Sequence, residues 1–242
     1  MTGSSSPHIA AAPFYTTRWT RVCLAKSNSE EGRKALADLC EAYYEPVVAY
    51  LRSFFGNADT AREMSHAFFL EMLGGDIFHN VERERGRFRS YLLGAVKHFV
   101  SHQRDASQRY KRGGGTIFLS LDDDEVTDVP DLRQLSPDRE FDRQWAMTVI
   151  ARSTETLRLQ CVAEGRGEFF DAVNGVLHGH ASHGDQTILA AECGMTVDAF
   201  RMAVSRLRKR LRDCVKAEVA GTLDDPSAVQ EEMEALFVAL GN

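Results

Sequence analysis

The chain has 242 residues, 43% of them hydrophobic and 26% charged, which suits a globular protein of one large domain or two small ones. The formal net charge is −6, and no apolar run approaches the ~18 residues that a membrane span requires. The start, "MTGSSSPHIAAAPFYTTRW", has neither the basic head nor the apolar core of a signal peptide, and its Ser, Pro and Ala content predicts a disordered arm over residues 1–17. Cys23, Cys40, Cys161, Cys193 and Cys214 are scattered without a Cys-x-x-Cys, the usage expected of reduced thiols in a cytoplasmic protein.

From residue 18 to 110 the pattern is that of packed helices. Leu36, Leu39, Tyr43, Val47 and Tyr50 make one stripe, in which Pro46 predicts a bend or a break. Ala61, Met64, Phe68 and Met72 make a second; Phe88, Leu92, Ala95 and Phe99 make a third. Between Glu82 and Arg112 nine Arg or Lys stand against three acids, a balance of +6. Cations interleaved with Phe88, Tyr91, His98 and Phe99 are the ingredients of a surface for single-stranded nucleic acid, charge for the backbone and rings for the bases. Phe88 and Phe99 are read as core, Tyr91 and His98 as the exposed contacts.

Residues 111–138 have linker chemistry: three glycines, an acidic cluster and two prolines. From Leu121 to Asp142 nine acids stand against Arg133 and Arg139. A segment of this kind cannot bury enough apolar surface to order itself.

A second helical domain is expected over 139–222. "DQTILAAECGMT" predicts a short helix around Gln186 to Cys193, a break at Gly194 and a new start capped by Thr196 or Asp198. Beyond it Phe200, Val204, Leu207 and Leu211 follow helical spacing, while Arg201, Ser205, Arg208 and Arg212 repeat that spacing on another face. Seven basic residues lie between Val197 and Lys216 against Asp198 and Asp213 alone. A solvated basic face explains that pattern. So does a helix-turn-helix whose second helix enters the major groove, where an arginine fork grips a guanine edge or a phosphate, and the break at Gly194 favours this second reading. "HGHASH" places His178, His180 and His183 together, but no Cys or carboxylate joins them at ligand spacing, so neither a metal nor another cofactor is expected. The end, residues 223–242, reads as an acidic amphipathic helix with five carboxylates and no Lys or Arg. The expected fold class is therefore all-α: two small helical domains joined by an acidic flexible linker, the second containing a helix-turn-helix.

In register along the chain, these segments resemble a bacterial RNA polymerase sigma factor of the two-domain, extracytoplasmic function type. "RFRSYLLGAVKHFVSHQRD" resembles the family segment that melts and reads the minus-ten element, F-R-x-W-L-x-x-I-A-x-N, with Tyr91 at the Trp and His98 at the Asn. "AFRMAVSRLRKRLR" resembles the helix that reads the minus-thirty-five element. "TTRWTRV", "RERGRFRSYLLGAVKHF" and "KRGGG" resemble the planctomycete-like branch, and the likeness spans roughly residues 17 to 222.

That resemblance implies a transcription initiation subunit rather than an enzyme, and the sequence holds no Gly-rich phosphate loop, metal-ligand cluster or nucleophile–base pairing. Its partners would be promoter DNA and core RNA polymerase, gripped at the beta-prime clamp helices, with no membrane partner. Arg87, Arg89, Tyr91, Lys97, His98 and Arg104 would handle the minus-ten element. Arg201 and Ser205 would face bases of the minus-thirty-five element; Arg206, Arg208, Lys209 and Arg212 would divide between phosphates and the domain's own surface. The family's polymerase-binding helix carries D-A-E-D-L-x-Q-E-x-F, against "TAREMSHAFF" here. Thr60 and Arg62 replace two acids, His66 stands at the Gln, and only Glu63 keeps its charge in place, with Asp59 one residue early. Asp59, Thr60, Glu63 and His66 are thus the expected polymerase contacts, and phosphorylation of Thr60 would restore the missing charge. A Ser/Thr kinase or an anti-sigma factor would be the regulatory partner. The alternative is a stand-alone helix-turn-helix regulator that binds duplex DNA without polymerase.

Overall fold

The computed structural model describes residues 29–74, 87–112, 135–178, 183–223 and 225–241. Among them are eight α-helices and no strand: α1 Glu30–Phe55, α2 Ala58–Gly74, α3 Phe88–Arg112, α4 Pro137–Ala163, α5 Gly167–Leu177, α6 His183–Glu192, α7 Val197–Ala220 and α8 Val229–Leu240, the last preceded by a 3-10 turn at Pro226–Ala228. No helix among them is long and apolar enough to cross a membrane. The N-terminal arm, residues 113–134 and His180 lie outside the described residues.

Local chemistry starts and stops these helices. The Ser29 hydroxyl accepts the Gly32 N–H at 3.0 Å, with Glu30 and Glu31 in the first turn of α1. Gly56 ends that helix in the left-handed region at φ 66, where its lack of a Cβ removes the strain. Asn57 caps α2 by accepting the N–H groups of Asp59 at 2.7 Å and Thr60 at 3.3 Å. Ser136 caps α4, with Pro137 in its first turn.

Pro46 lies inside α1 without dividing it, so of the bend or break expected there the break does not occur. A proline inside a helix costs about 3 kcal/mol, but Ala42, Tyr43, Val47, Tyr50 and Leu51 are all buried around it. Large side chains buried at about 1.5–3 kcal/mol each outweigh that cost.

Two hydrophobic cores result. The first joins α1, α2 and α3 through Tyr43, Phe68, Phe88, Leu92 and Phe99, and takes Phe141, Trp145 and Val149 from α4, Val215 and Val219 from α7, and Met233 and Leu236 from α8. The second gathers Leu157 and Cys161 of α4 with Phe170 and Val173 of α5, Ala190 of α6, and Phe200, Val204 and Leu207 of α7. The packing therefore does not divide at residue 139 as expected. Both α4 and α7 run through both cores, and they are antiparallel: Arg152 meets Glu218 while Gln160 meets Arg210. Helix α8 covers the end of the first core. Met233 and Leu236 are its buried apolar side chains, worth roughly 3–6 kcal/mol, while Phe237 and Val238 are 58% and 65% exposed.

Candidate nucleic-acid interface

Helix α7 emerges from a tight turn. Gly194 adopts φ 65, Met195 N–H returns to the Ala190 carbonyl at 2.8 Å, and Thr196 caps the new helix by accepting the Ala199 N–H at 3.3 Å. Thr196, not Asp198, fills the cap position; Asp198 lies in the first turn. With Phe200, Val204 and Leu207 buried, the opposite faces turn outward: Arg201, Ser205, Arg206, Arg208, Lys209 and Arg212 are all exposed.

These exposed residues differ in what holds them. Arg201 donates to the Gln186 side chain at 3.4 Å and lies 3.8 Å from Asp198. Arg208 donates to the Val176 carbonyl at 2.8 Å, at the C-terminal end of α5 where helix carbonyls lack partners, and so is tied to the protein's own surface. Arg206, Lys209 and Arg212 have no ion-pair partner among the described residues. Arg210, absent from the expected set, faces α4 instead: both of its Nη atoms reach Glu164, at 2.7 and 3.0 Å, and one reaches Gln160 at 3.1 Å. Hydrogen bonds from Arg210 and then Arg166 hold the Glu164 carboxyl below the usual range. Ile188 on α6 and Met202 on α7 add exposed apolar side chains beside the charged ones.

The basic residues of α3 are arranged differently. Phe88 and Phe99 are buried, as read from the sequence, with Phe88 edge-on to Tyr43 at 5.1 Å. Arg89 is only 11% exposed: its Nε donates to Glu232 Oε1 at 3.0 Å, its guanidinium also pairs with Asp142, and it lies 4.5 Å over the Trp145 ring. Burial works against its charge, yet hydrogen bonding to Glu232 and the charge of Asp142 more than offset this and raise its pKa. Arg87 reaches Glu231 at 2.6 Å and Glu232 at 3.1 Å. Glu232 is fully buried beneath these two forks.

Farther along α3, Lys97 pairs with Asp138 at 2.5 Å and the Arg104 guanidinium sits 4.8 Å over the Phe54 ring. Tyr91 is half-buried, packed against the first core, with its ring 6.1 Å from Phe88. His98 is exposed, its ring 4.1 Å from that of His102.

The third expected surface is the outer side of α2. Asp59 pairs with Arg62 at 3.1 Å, Glu63 is exposed, and Thr60 is half-buried in the first turn. His66 Nε2 and the Tyr44 hydroxyl share a hydrogen bond at 3.1 Å, with the two rings stacked. Leu70, one turn beyond His66, is 70% exposed, and nothing in the apolar pattern marks it apart from core leucines. Among the described residues no three His, Cys, Asp or Glu side chains gather as metal ligands. No family model, no curated protein and no solved structure matches the chain.

Proposed function

We propose that the protein is a sigma-type promoter-recognition subunit of a bacterial RNA polymerase. The observation that carries this reading is α7: an outward row of Arg201, Ser205, Arg206, Lys209 and Arg212 on a helix seated by a buried apolar stripe, preceded by a short helix and a glycine turn. In this reading α6 and α7 are a helix-turn-helix, and α7 enters the major groove of the upstream element, with Arg201 and Ser205 toward bases and Lys209 and Arg212 toward phosphates. Helix α3, with Tyr91, His98 and its cations, handles the downstream element as the strands separate. The outer face of α2, Asp59, Glu63, His66 and Leu70, meets core polymerase, where an exposed leucine amid polar groups has the make-up of an interface anchor.

Phosphorylation at Thr60 by a Ser/Thr kinase strengthens that last contact. It adds about −1.5 to −2 charges in the first turn of α2, where the helix dipole favours them. Core polymerase pull-down tests both points. The protein is expected to co-purify with polymerase, and Thr60→Asp or kinase treatment to increase capture over Thr60→Ala. Duplex binding without polymerase capture by any of the three forms would favour a stand-alone regulator instead.

A further inference from the structure

Arg87 and Arg89 project from the start of α3, and the groups that hold them come from the far end of the chain. Glu231 and Glu232 lie in α8, and Glu232 is 143 residues from Arg89 in sequence. The contact has the chemistry of a phosphate site. Guanidinium forks take paired oxygens from a carboxylate or a phosphate with the same geometry, and Glu232 presents both carboxylate oxygens to Arg89, at 3.0 and 3.3 Å. A buried ion pair adds little net stability over an apolar contact but imposes one particular arrangement.

We propose that α8 is an autoinhibitory strap: its Glu231 and Glu232 occupy the Arg87 and Arg89 forks that phosphates of a separated DNA strand would take, so that strand binding and strap docking compete. This rests on the nucleic-acid reading of α3. The strap joins α7 through the 3-10 turn, Pro226–Ala228, where Asp225 accepts from Ser227.

The test uses the full chain and a 20-nucleotide single-stranded DNA, with wild type, the double variant Glu231→Gln/Glu232→Gln, and that variant carrying Arg87→Gln as well. Circular dichroism checks that each keeps its helices. The double variant is expected to bind several-fold tighter than wild type. The slope of log affinity against log salt should stay close to that of wild type, because both complexes neutralise the same phosphates. Adding Arg87→Gln should lower that slope by about 0.7. In wild type, amides of Val229–Leu240 should exchange faster when the oligonucleotide is bound. If wild type binds but the double variant binds no tighter, or if α8 stays equally protected in the bound state, the strap is overturned while the reading of α3 stands. If no form binds the oligonucleotide even at low salt, the reading of α3 fails and the strap with it. Glu231→Lys provides an independent arm, because Glu231 is 73% exposed and its replacement leaves the core untouched; unchanged affinity there also counts against the strap.

Discussion

The basic residues of α7 and those of α3 come from segments of similar charge balance, +5 over Val197 to Lys216 and +6 over Glu82 to Arg112, and among the described residues part of the α7 set stays open while Arg87, Arg89, Lys97 and Arg104 of α3 are held. On α7, Arg206, Lys209 and Arg212 stand in solvent without acid partners among the described residues. On α3, Arg87 and Arg89 are clasped by Glu231, Glu232 and Asp142, Lys97 by Asp138, and Arg104 rests on Phe54. Local charge reports how many cations a segment has; the fold decides how many remain available to a ligand.

The contrast has an energetic side that mutation should expose. Trp145, almost fully buried in the first core, is the platform under Arg89. Trp145→Ala is expected to cost about 3–5 kcal/mol in urea unfolding and to loosen the closed basic turn of α3 together with α8. A loss under about 1 kcal/mol would mean that this core tolerates the cavity and that the platform matters little.

The open face of α7 should respond in binding rather than in stability. Arg201→Ala is expected to weaken upstream-element duplex by about 1–3 kcal/mol and to relax preference at one base pair. Lys209→Ala should weaken all duplex sequences alike and lower the salt slope by about 1. Arg208→Ala sharpens the comparison: it breaks the bond to the Val176 carbonyl, so about 0.5–1.5 kcal/mol should vanish from stability, with a smaller change in DNA affinity than for Lys209→Ala. Fluorescence anisotropy and denaturation on the same variants measure both. Equal effects of Arg208→Ala and Lys209→Ala on affinity would erase the distinction drawn between them.

A smaller effect follows from caps. Removing the Thr196 hydroxyl by Thr196→Ala should cost about 1 kcal/mol, and Asn57→Ala a similar amount at the start of α2. The smallest is a pH effect. Burial, then the negative charge of Asp138, pushes the Tyr50 hydroxyl up to about 12 against an opposing pull from Arg104. A raised folded-state pKa favours the neutral phenol, so its contribution to stability is complete below pH 10 and is lost as pH rises toward 12. Tyr50→Phe should flatten that part of the alkaline unfolding profile; an unchanged profile would show that another group governs it.

Most helices were legible because their signals are local. Stripes such as Leu39, Tyr43, Val47 and Tyr50 are buried as their spacing implies, and Gly194 followed by Thr196 marks the turn before α7. Pro46 does not break its helix because its cost is local while the burial that overrides it comes from the neighbouring helices. The closing of α3 was not legible, since nothing near Arg89 in sequence announces Glu232. Arg210 was missed for a related reason: it stands off the row of Arg201, Ser205, Arg208 and Arg212, and its partner Glu164 ends a different helix. The division between the two cores was misplaced because α4 and α7 each serve both, and a boundary drawn at the acidic segment cannot register a helix shared between cores.

Transcription in vitro with core polymerase and a genomic promoter library bears most directly on the proposed role. With the protein added, transcripts are expected to start at a fixed distance downstream of two short shared elements, and Arg201→Ala should change the upstream one selectively. Absence of any protein-dependent transcript, from a preparation that binds duplex DNA by itself, would contradict the role in promoter recognition.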